Sequence, residues 1–371
     1  MKVLLVAYYF KPYKGVGALR STYWAENINE LDPEIVMDVV TAQEQVTNEN
    51  LPGNGKIFTV KDNKKSKLSR FIRFDSGVNW RIPLREFIKR VDTKYDTVIF
   101  SGSPFLHFFL AKEFKKKMNC RMIFDFRDPF ANNPYYKNSF LKGMIRRFLE
   151  RKMINLADKC ITVNDFCKGL IENNEQIEIE IIENGFNEKI IDRILSETSQ
   201  NEMEKYSFVY AGKLYGASPE PFLETISAPE YINKINFCYV GQDFKRVDHY
   251  NKGNFDVIEM LPYDQAVKKI AISNTGIIFT GGQSFQSTTK IFDYIGLNKN
   301  ILIITEGKIC SGNIHKITKD YPYVFWAENN CRSISEAIDE TLKTRNRDSF
   351  EMREKYSRKE GLKKLINMML K

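Results

Sequence analysis

Short apolar runs bounded by turn residues recur along the 371-residue chain, with segments of helical spacing between them. KVLLVAYYF (2 to 10) does not alternate between apolar and polar positions, so it reads as a buried strand of the parallel type. The pattern returns in EIVMDVV (34 to 40), YDTVIF (95 to 100), RMIFDF (121 to 126), DKCITV (158 to 163) and IEIEII (177 to 182). Between these runs, ALRSTYWAENINEL, PFLHFFLAKEFKKK and SFLKGMIRRFLERKMINLA place apolar residues three and four apart, as helices with one buried face do. Strand and helix alternate, which demands crossover connections and predicts an α/β, doubly wound sheet.

A polar stretch, SETSQNEMEK (196 to 205), precedes a second series: SFVYAG, INFCYVG, FDVIEML, TGIIFT, NILIIT and YVFWA, with PYDQAVKKIAIS and STTKIFDYIGL as helices. The expected domains are residues 1–195 and 206–355, two similar α/β units facing each other across a cleft. Hydrophobic content of 43% and aromatic content of 13% supply enough material for two cores.

No apolar stretch approaches the roughly 18 to 20 residues that span a bilayer, and no small-residue cleavage site follows the first apolar run, so a cytoplasmic protein is expected. Six cysteines occur without a C-x-x-C pair, which fits reduced thiols. His249 and His315 have no acidic or thiol partner at ligand spacing, so neither a metal nor another cofactor is expected.

The formal charge is +9, and residues 61 to 90 hold ten basic against three acidic residues, interleaved with Phe71, Ile72, Phe74, Val78 and Trp80. Such a face suits an anionic membrane, with Lys64, Lys65, Lys67, Arg70, Arg73 and Trp80 as the membrane-facing candidates, each basic residue worth about 1 kcal/mol near headgroups. Nucleic acid is the competing partner and is not expected; a solvated helix with its apolar side in the core is the other reading.

In doubly wound sheets a ligand sits beyond the carboxyl ends of the strands, where loops enter helices. In the second half, GGQSFQSTTK frees the backbone at Gly281 and Gly282 and offers Ser287 and Thr288 at a helix start, which presents N–H groups and a positive dipole end to an anion. Lys290 adds a charge, and Asp293 lies one turn on along the same face. AGKLYG sets Lys213 at a strand end in a glycine-flanked turn, within reach of a diphosphate at that helix start. A plain surface ion pair and a solvated loop lysine are the structural alternatives. In the first half, Gly15 and Gly17 permit close approach of backbone to a phosphate, RDPF puts Arg127 and Asp128 at a strand end, and His107 follows Pro104 on a helix. A dinucleotide fingerprint is unsupported, because the opening loop lacks a third glycine.

Taken in order, YYFKPYKGVGALR, SGSPFLHFFLAKEF with IFDFRDPF, ERKMINLADKCITVNDF, IIENGFN, AGKLYG and STTKIFDYIGLNKNILII resemble the family 4 glycosyltransferases of GT-B fold, especially the bacterial branch that builds surface polysaccharides such as capsule or O-antigen. The resemblance implies two Rossmann-like domains, the first binding the acceptor and the second the nucleotide sugar, with residues 356–371 as a helix crossing back to the first domain. It implies retaining transfer from a nucleotide diphosphate sugar, UDP by frequency in the family, to a saccharide acceptor that is lipid-linked, on the inner face of the cell membrane. Donor binding falls to Gly15, Gly17, Lys213, Ser287, Thr288, Lys290 and Asp293, catalysis to His107, Asp128 and Lys213, and the acceptor to Arg127 and Asp128. Lys213, Lys290 and helix N–H groups would stabilise the leaving diphosphate in place of a metal. Two departures stand out: Phe285 occupies the place of a usual glutamate, and Lys213 stands alone where many members have arginine and lysine. A catalytically silent nucleotide-binding scaffold and a sugar-nucleotide 2-epimerase are the alternatives.

Overall fold

The computed structural model describes residues 1–44, 50–62, 75, 77–136, 140–172, 177–198, 205–214, 216–344 and 350–371. The chain divides into two compact units: Met1–Glu183 with Gly361–Lys371, and Asn184–Glu360.

The first unit is a seven-stranded sheet of β1 (Lys2–Ala7), β2 (Val36–Thr41), β3 (Ile57–Thr59), β4 (Thr97–Ser101), β5 (Arg121–Phe126), β6 (Lys159–Thr162) and β7 (Ile179–Ile181). Its order is β3-β2-β1-β4-β5-β6-β7, and all pairings are parallel. Successive side chains of a strand point to opposite faces. Leu4, Val6, Val98, Phe100, Met122 and Phe124 therefore enter one core, and Val3, Leu5, Ile99 and Ile123 the other. Helices cover both faces: α1 (Leu19–Leu31), α2 (Gly77–Arg90), α3 (Ala111–Met118), α4 (Phe140–Ile154) and α5 (Asp165–Leu170). The stretch after Pro104, expected as helix throughout, makes a 3-10 turn over Leu106–Leu110 before α3 begins.

The second unit is a six-stranded parallel sheet of β8 (Tyr206–Ala211), β9 (Ile235–Val240), β10 (Phe255–Ile258), β11 (Thr275–Thr280), β12 (Asn300–Thr305) and β13 (Val324–Glu328), in the order β10-β9-β8-β11-β12-β13. The helices are α6 (Glu188–Glu197), α7 (Glu220–Ile226), α8 (Phe244–Asp248), α9 (Tyr263–Ile272), α10 (Thr289–Gly296), α11 (Gly312–Thr318) and α12 (Cys331–Lys343). α6 falls at the end of the expected first domain, yet Ile191 and Ile194 pack in the core of this second unit, beside Val209, Ile291 and Ile295.

α13 (Arg358–Leu370) straddles the division after Glu360. Its Leu362, Leu365, Met368 and Met369 are buried in the first unit with Trp24, Ile28 and Ile123. Arg121 fastens the helix end by donating to the Met369 carbonyl at 3.0 Å.

The basic segment requires a correction. Lys64, Lys65, Lys67, Arg70 and Arg73 lie outside the described residues, as do Phe71, Ile72 and Phe74. Trp80, expected to face a membrane, is fully buried. It shares the inner stripe of α2 with Leu84 and Ile88, four residues apart, and its indole N–H donates to the Val60 carbonyl at 2.7 Å. Among the described residues, no helix is long and apolar enough to cross a membrane.

Because α13 completes the first core, Leu365→Ala should destabilise the chain by about 2–5 kcal/mol, read as a lower urea midpoint. A midpoint equal to that of the unsubstituted chain would show that the helix is dispensable.

Candidate functional site

In the first unit the strand order reverses between β1 and β4, and the loops leaving their carboxyl ends meet there. Arg127, just past β5, ties them together: its guanidinium donates to the carbonyls of Gly17 and Gly102. The expected acceptor ligand is thus engaged with backbone. Gly15 and Gly17 lie under a stacked pair, Tyr9 and Tyr13, with ring centroids 4.6 Å apart. A Cβ on Gly15 would collide with the Tyr13 ring, and one on Gly17 would press on Tyr9.

Asp128, beside Arg127, is exposed. Protein crowded around its carboxyl raises it above the usual carboxylate range, Arg127 opposing and Asp125 adding to the shift. The loop that follows hangs on Glu150 of α4. That carboxylate is fully buried and accepts from the N–H groups of Phe130 (2.9 Å), Ala131 (3.2 Å) and Glu172 (2.8 Å). Burial pushes Glu150 up to about 7.

His107 does not stand where the resemblance puts it. The ring is fully buried among Trp80, Phe100 and Phe108, and neither nitrogen has a hydrogen-bond partner among the described residues. Desolvation, with help from Arg81, pushes it down to about 3. It is a neutral core imidazole with no open face for a sugar. The start of its turn is occupied as well: Asp75 accepts from the N–H groups of Phe105 (2.6 Å) and Leu106 (2.5 Å). A carboxylate already holds the donors that an anion would want.

In the second unit the order reverses between β8 and β11. Gly212, at the end of β8, has φ +127°, a conformation that only glycine adopts without strain. A Cβ there would stand 3.1 Å from the Lys290 ammonium. The structure therefore brings Lys290 against the turn that carries Lys213. The Lys290 Nζ lies 4.8 Å from the centroid of the Tyr210 ring, whose hydroxyl donates to the Lys213 carbonyl at 2.7 Å. Although Lys290 is only partly screened from solvent, desolvation pushes it down to about 8, with Asp293 opposing. The Lys213 side chain is exposed.

Thr288 stands at the head of α10, which no side chain caps. Together with Tyr210, Ile278, Phe279, Gln286 and Lys290 it lines a shallow recess of about 10 Å³. Ser287 is half-buried beside it, and Phe285 is buried. A larger groove, of about 330 Å³, runs along the opposite ends of β8 and β9 past Asn236, Asp256 and Lys269. Its lysine is already paired with Asp256 at 3.4 Å, and ligands of such sheets gather at the carboxyl ends, so the smaller recess is the candidate.

Asp293 is buried rather than presented to solvent. It accepts a 2.5 Å hydrogen bond from Tyr263, and Arg358 stacks over that tyrosine at 5.4 Å. Burial raises Asp293 to about 6, against the pull of Arg358, Tyr263 and Lys290. Among the described residues, no cluster of His, Cys, Asp or Glu has the geometry of a metal site.

No protein-family model and no curated protein matches the sequence. Solved structures do match the fold. Sucrose-phosphate synthase from Thermosynechococcus elongatus aligns with a TM-score of 0.70 at 10% identity over 99% of this chain and 98% of that one. A glycosyltransferase from Rickettsia africae ESF-5 gives 0.69 at 14% identity over 99% and 97%. The Anabaena protein HepE, in complex with UDP and glucose, gives 0.65 at 10% identity over 100% and 99%. Two Rossmann-like parallel sheets with this likeness over the whole chain define the GT-B fold.

Asp293 yields a test of the site's electrostatics. Its folded-state value lies above the ordinary 3.8, so the folded chain holds that proton more tightly than the unfolded one, and the group's contribution to stability falls as pH rises from about 4 to about 6. Asp293→Asn keeps an acceptor for Tyr263 and removes the buried charge. Its melting temperature at neutral pH should equal or exceed that of the unsubstituted chain, and its stability should vary less with pH in that window; a clear drop in melting temperature would contradict this account.

Proposed function

We propose that this chain is a glycosyltransferase of family 4 type, moving a sugar from a nucleotide diphosphate sugar, UDP-linked, to a saccharide acceptor with retention of configuration. The observation that carries the reading is the approach of Lys290 to Gly212, in the turn that carries the exposed Lys213, at the reversal point of the second sheet beside a helix start without a side-chain cap. Two lysines beside a helix start suit a diphosphate, whose charge grows as the sugar departs. Likeness over the whole chain to a sucrose-phosphate synthase, to a Rickettsia protein titled a glycosyltransferase and to HepE, bound to UDP and glucose, supports the same conclusion.

Within this reading, Ser287, Thr288 and Lys290 hold the diphosphate, and Lys213 stabilises the leaving group without a metal ion. Asp293 orders the site through Tyr263 and Arg358, and Gly15 and Gly17 keep the first unit's loop compact. Asp128 is the exposed carboxylate for the acceptor, and Arg127 positions its loop. The acceptor is lipid-linked, and the protein works at the inner face of the cell membrane in surface-polysaccharide synthesis. A second reading, a nucleotide-binding scaffold without turnover, draws on two features: His107 is enclosed and Phe285 replaces a glutamate.

Product formation from a labelled UDP-sugar separates the two readings. Lys213→Ala should lower kcat by on the order of a hundredfold with an unchanged melting temperature. Near-normal turnover would remove Lys213 from the mechanism, and nucleotide binding without any product would favour the scaffold.

Nucleotide binding should also depend on pH with a definite sign. A bound diphosphate favours charged Lys290, whose ammonium begins to deprotonate at about 8 in the free protein. UDP affinity measured calorimetrically should fall as pH rises through that value, by at most about tenfold per pH unit, with proton uptake on binding. Lys290→Met should abolish both effects; a wild-type affinity that stays level up to about pH 9 would dismiss Lys290 as the diphosphate ligand.

A further inference from the structure

α4 has two apolar faces. Gly143, Arg146, Glu150, Met153 and Ile154 are buried on the inner one. On the outer one, Phe140 is 82% exposed, Leu141 66%, Phe148 60%, Met144 47% and Ile145 39%. At the helical advance per residue, these five positions fall in a single sector of about 140°, opposite the buried set. A contiguous exposed patch of several hundred Å² marks an interaction surface.

The charges around that stripe are of one sign. Lys142 flanks it on one side and Arg147 on the other, while Arg151 and Lys152 close its C-terminal end, Lys152 5.5 Å from the Phe148 ring. Glu150, the only acidic residue of the helix, is turned inward onto the Phe130 and Ala131 amides. Arg151 shares Glu172 at 2.9 Å, which leaves Lys142, Arg147 and Lys152 as the positive rim.

We infer that the outer face of α4 is a bilayer-docking surface: the helix lies in the interface plane of an anionic membrane, with Phe140, Leu141, Met144, Ile145 and Phe148 among the acyl chains and Lys142, Arg147 and Lys152 at the headgroups. An apolar stripe with cationic edges is the chemistry of interfacial helices. A second copy of the chain is disfavoured, because a two-fold contact on this face would bring its like-charged edges together. The inference deepens the proposed function and rests on it in one respect: α4 also carries Glu150, so the docked helix would hold the Asp128 loop at the membrane from which a lipid-linked acceptor arrives.

The test is flotation of the full chain with phosphatidylcholine vesicles, with and without phosphatidylglycerol. The unsubstituted protein should float with the anionic vesicles. Phe140→Ser combined with Phe148→Ser should lower that partitioning by about tenfold or more, and Lys142→Glu combined with Lys152→Glu by a similar factor on anionic vesicles alone. Both pairs are surface changes, so melting temperature and UDP-induced thermal stabilisation should not move. The inference is overturned if the unsubstituted chain stays with the aqueous fraction, or if the Phe140/Phe148 pair floats like it. It is also overturned if ultracentrifugation finds a dimer that the pair converts to monomer. UDP stabilisation and product formation report separately on the transferase reading: their loss with flotation intact would sink that reading and leave the docking face standing.

Discussion

Where the strand order of a parallel sheet reverses, two adjacent loops leave in opposite directions, and their polar backbone has no ladder partner. In each half of this chain a cation from a neighbouring loop is stationed at that reversal. Arg127 spends its fork of donors on the carbonyls of Gly17 and Gly102 and fixes the first pair of loops. Lys290 approaches the second pair at Gly212, over the Tyr210 ring, where desolvation rather than a carbonyl clamp dominates its chemistry. The two positions are equivalent in topology and different in use. An arginine held by backbone serves as scaffold, whereas a lysine pushed toward neutrality gains from any anion that restores its charge.

Around Lys290 the second unit places a graded set of groups. Asp293 is kept near its titration point by burial, and Tyr263 and Arg358 steady it from the far side. The lysine therefore has a partner that compensates it only in part, which keeps the recess attractive to a diphosphate while the ligand-free fold bears the charge.

The alternation of strands and helices was legible in the sequence because parallel strands buried on both faces read as unbroken apolar runs. Among the described strands only β3 escaped, being three residues long and half-buried. Lys290 and Lys213 were legible as two cations expected to share one diphosphate; the positive φ of Gly212, which leaves room for the Lys290 ammonium, was not, since nothing local encodes the approach of one loop to another. Asp75 illustrates the same limit. It reaches the amides of Phe105 and Leu106 across 30 and 31 residues of sequence, and so fills a helix start that looked open. Trp80 and His107 misled for a related reason: polar-capable rings in a basic or motif-like context suggested exposure, while the four-residue spacing of Trp80, Leu84 and Ile88 held the contrary signal. α6 was assigned across the wrong side of a polar stretch, because its apolar stripe finds its partners only in later strands.

The first unit is discontinuous, and this orders its biogenesis. A ribosome delivers β1 to β7 first, then the whole of residues 184 to 360, and only afterwards Leu362, Leu365, Met368 and Met369, which seal the face against Trp24 and Ile28. Throughout translation of the second unit, the nascent first sheet has an apolar flank open to solvent. The second sheet, contiguous in sequence, faces no such delay, so the half that comes off the ribosome later is the one able to finish folding first.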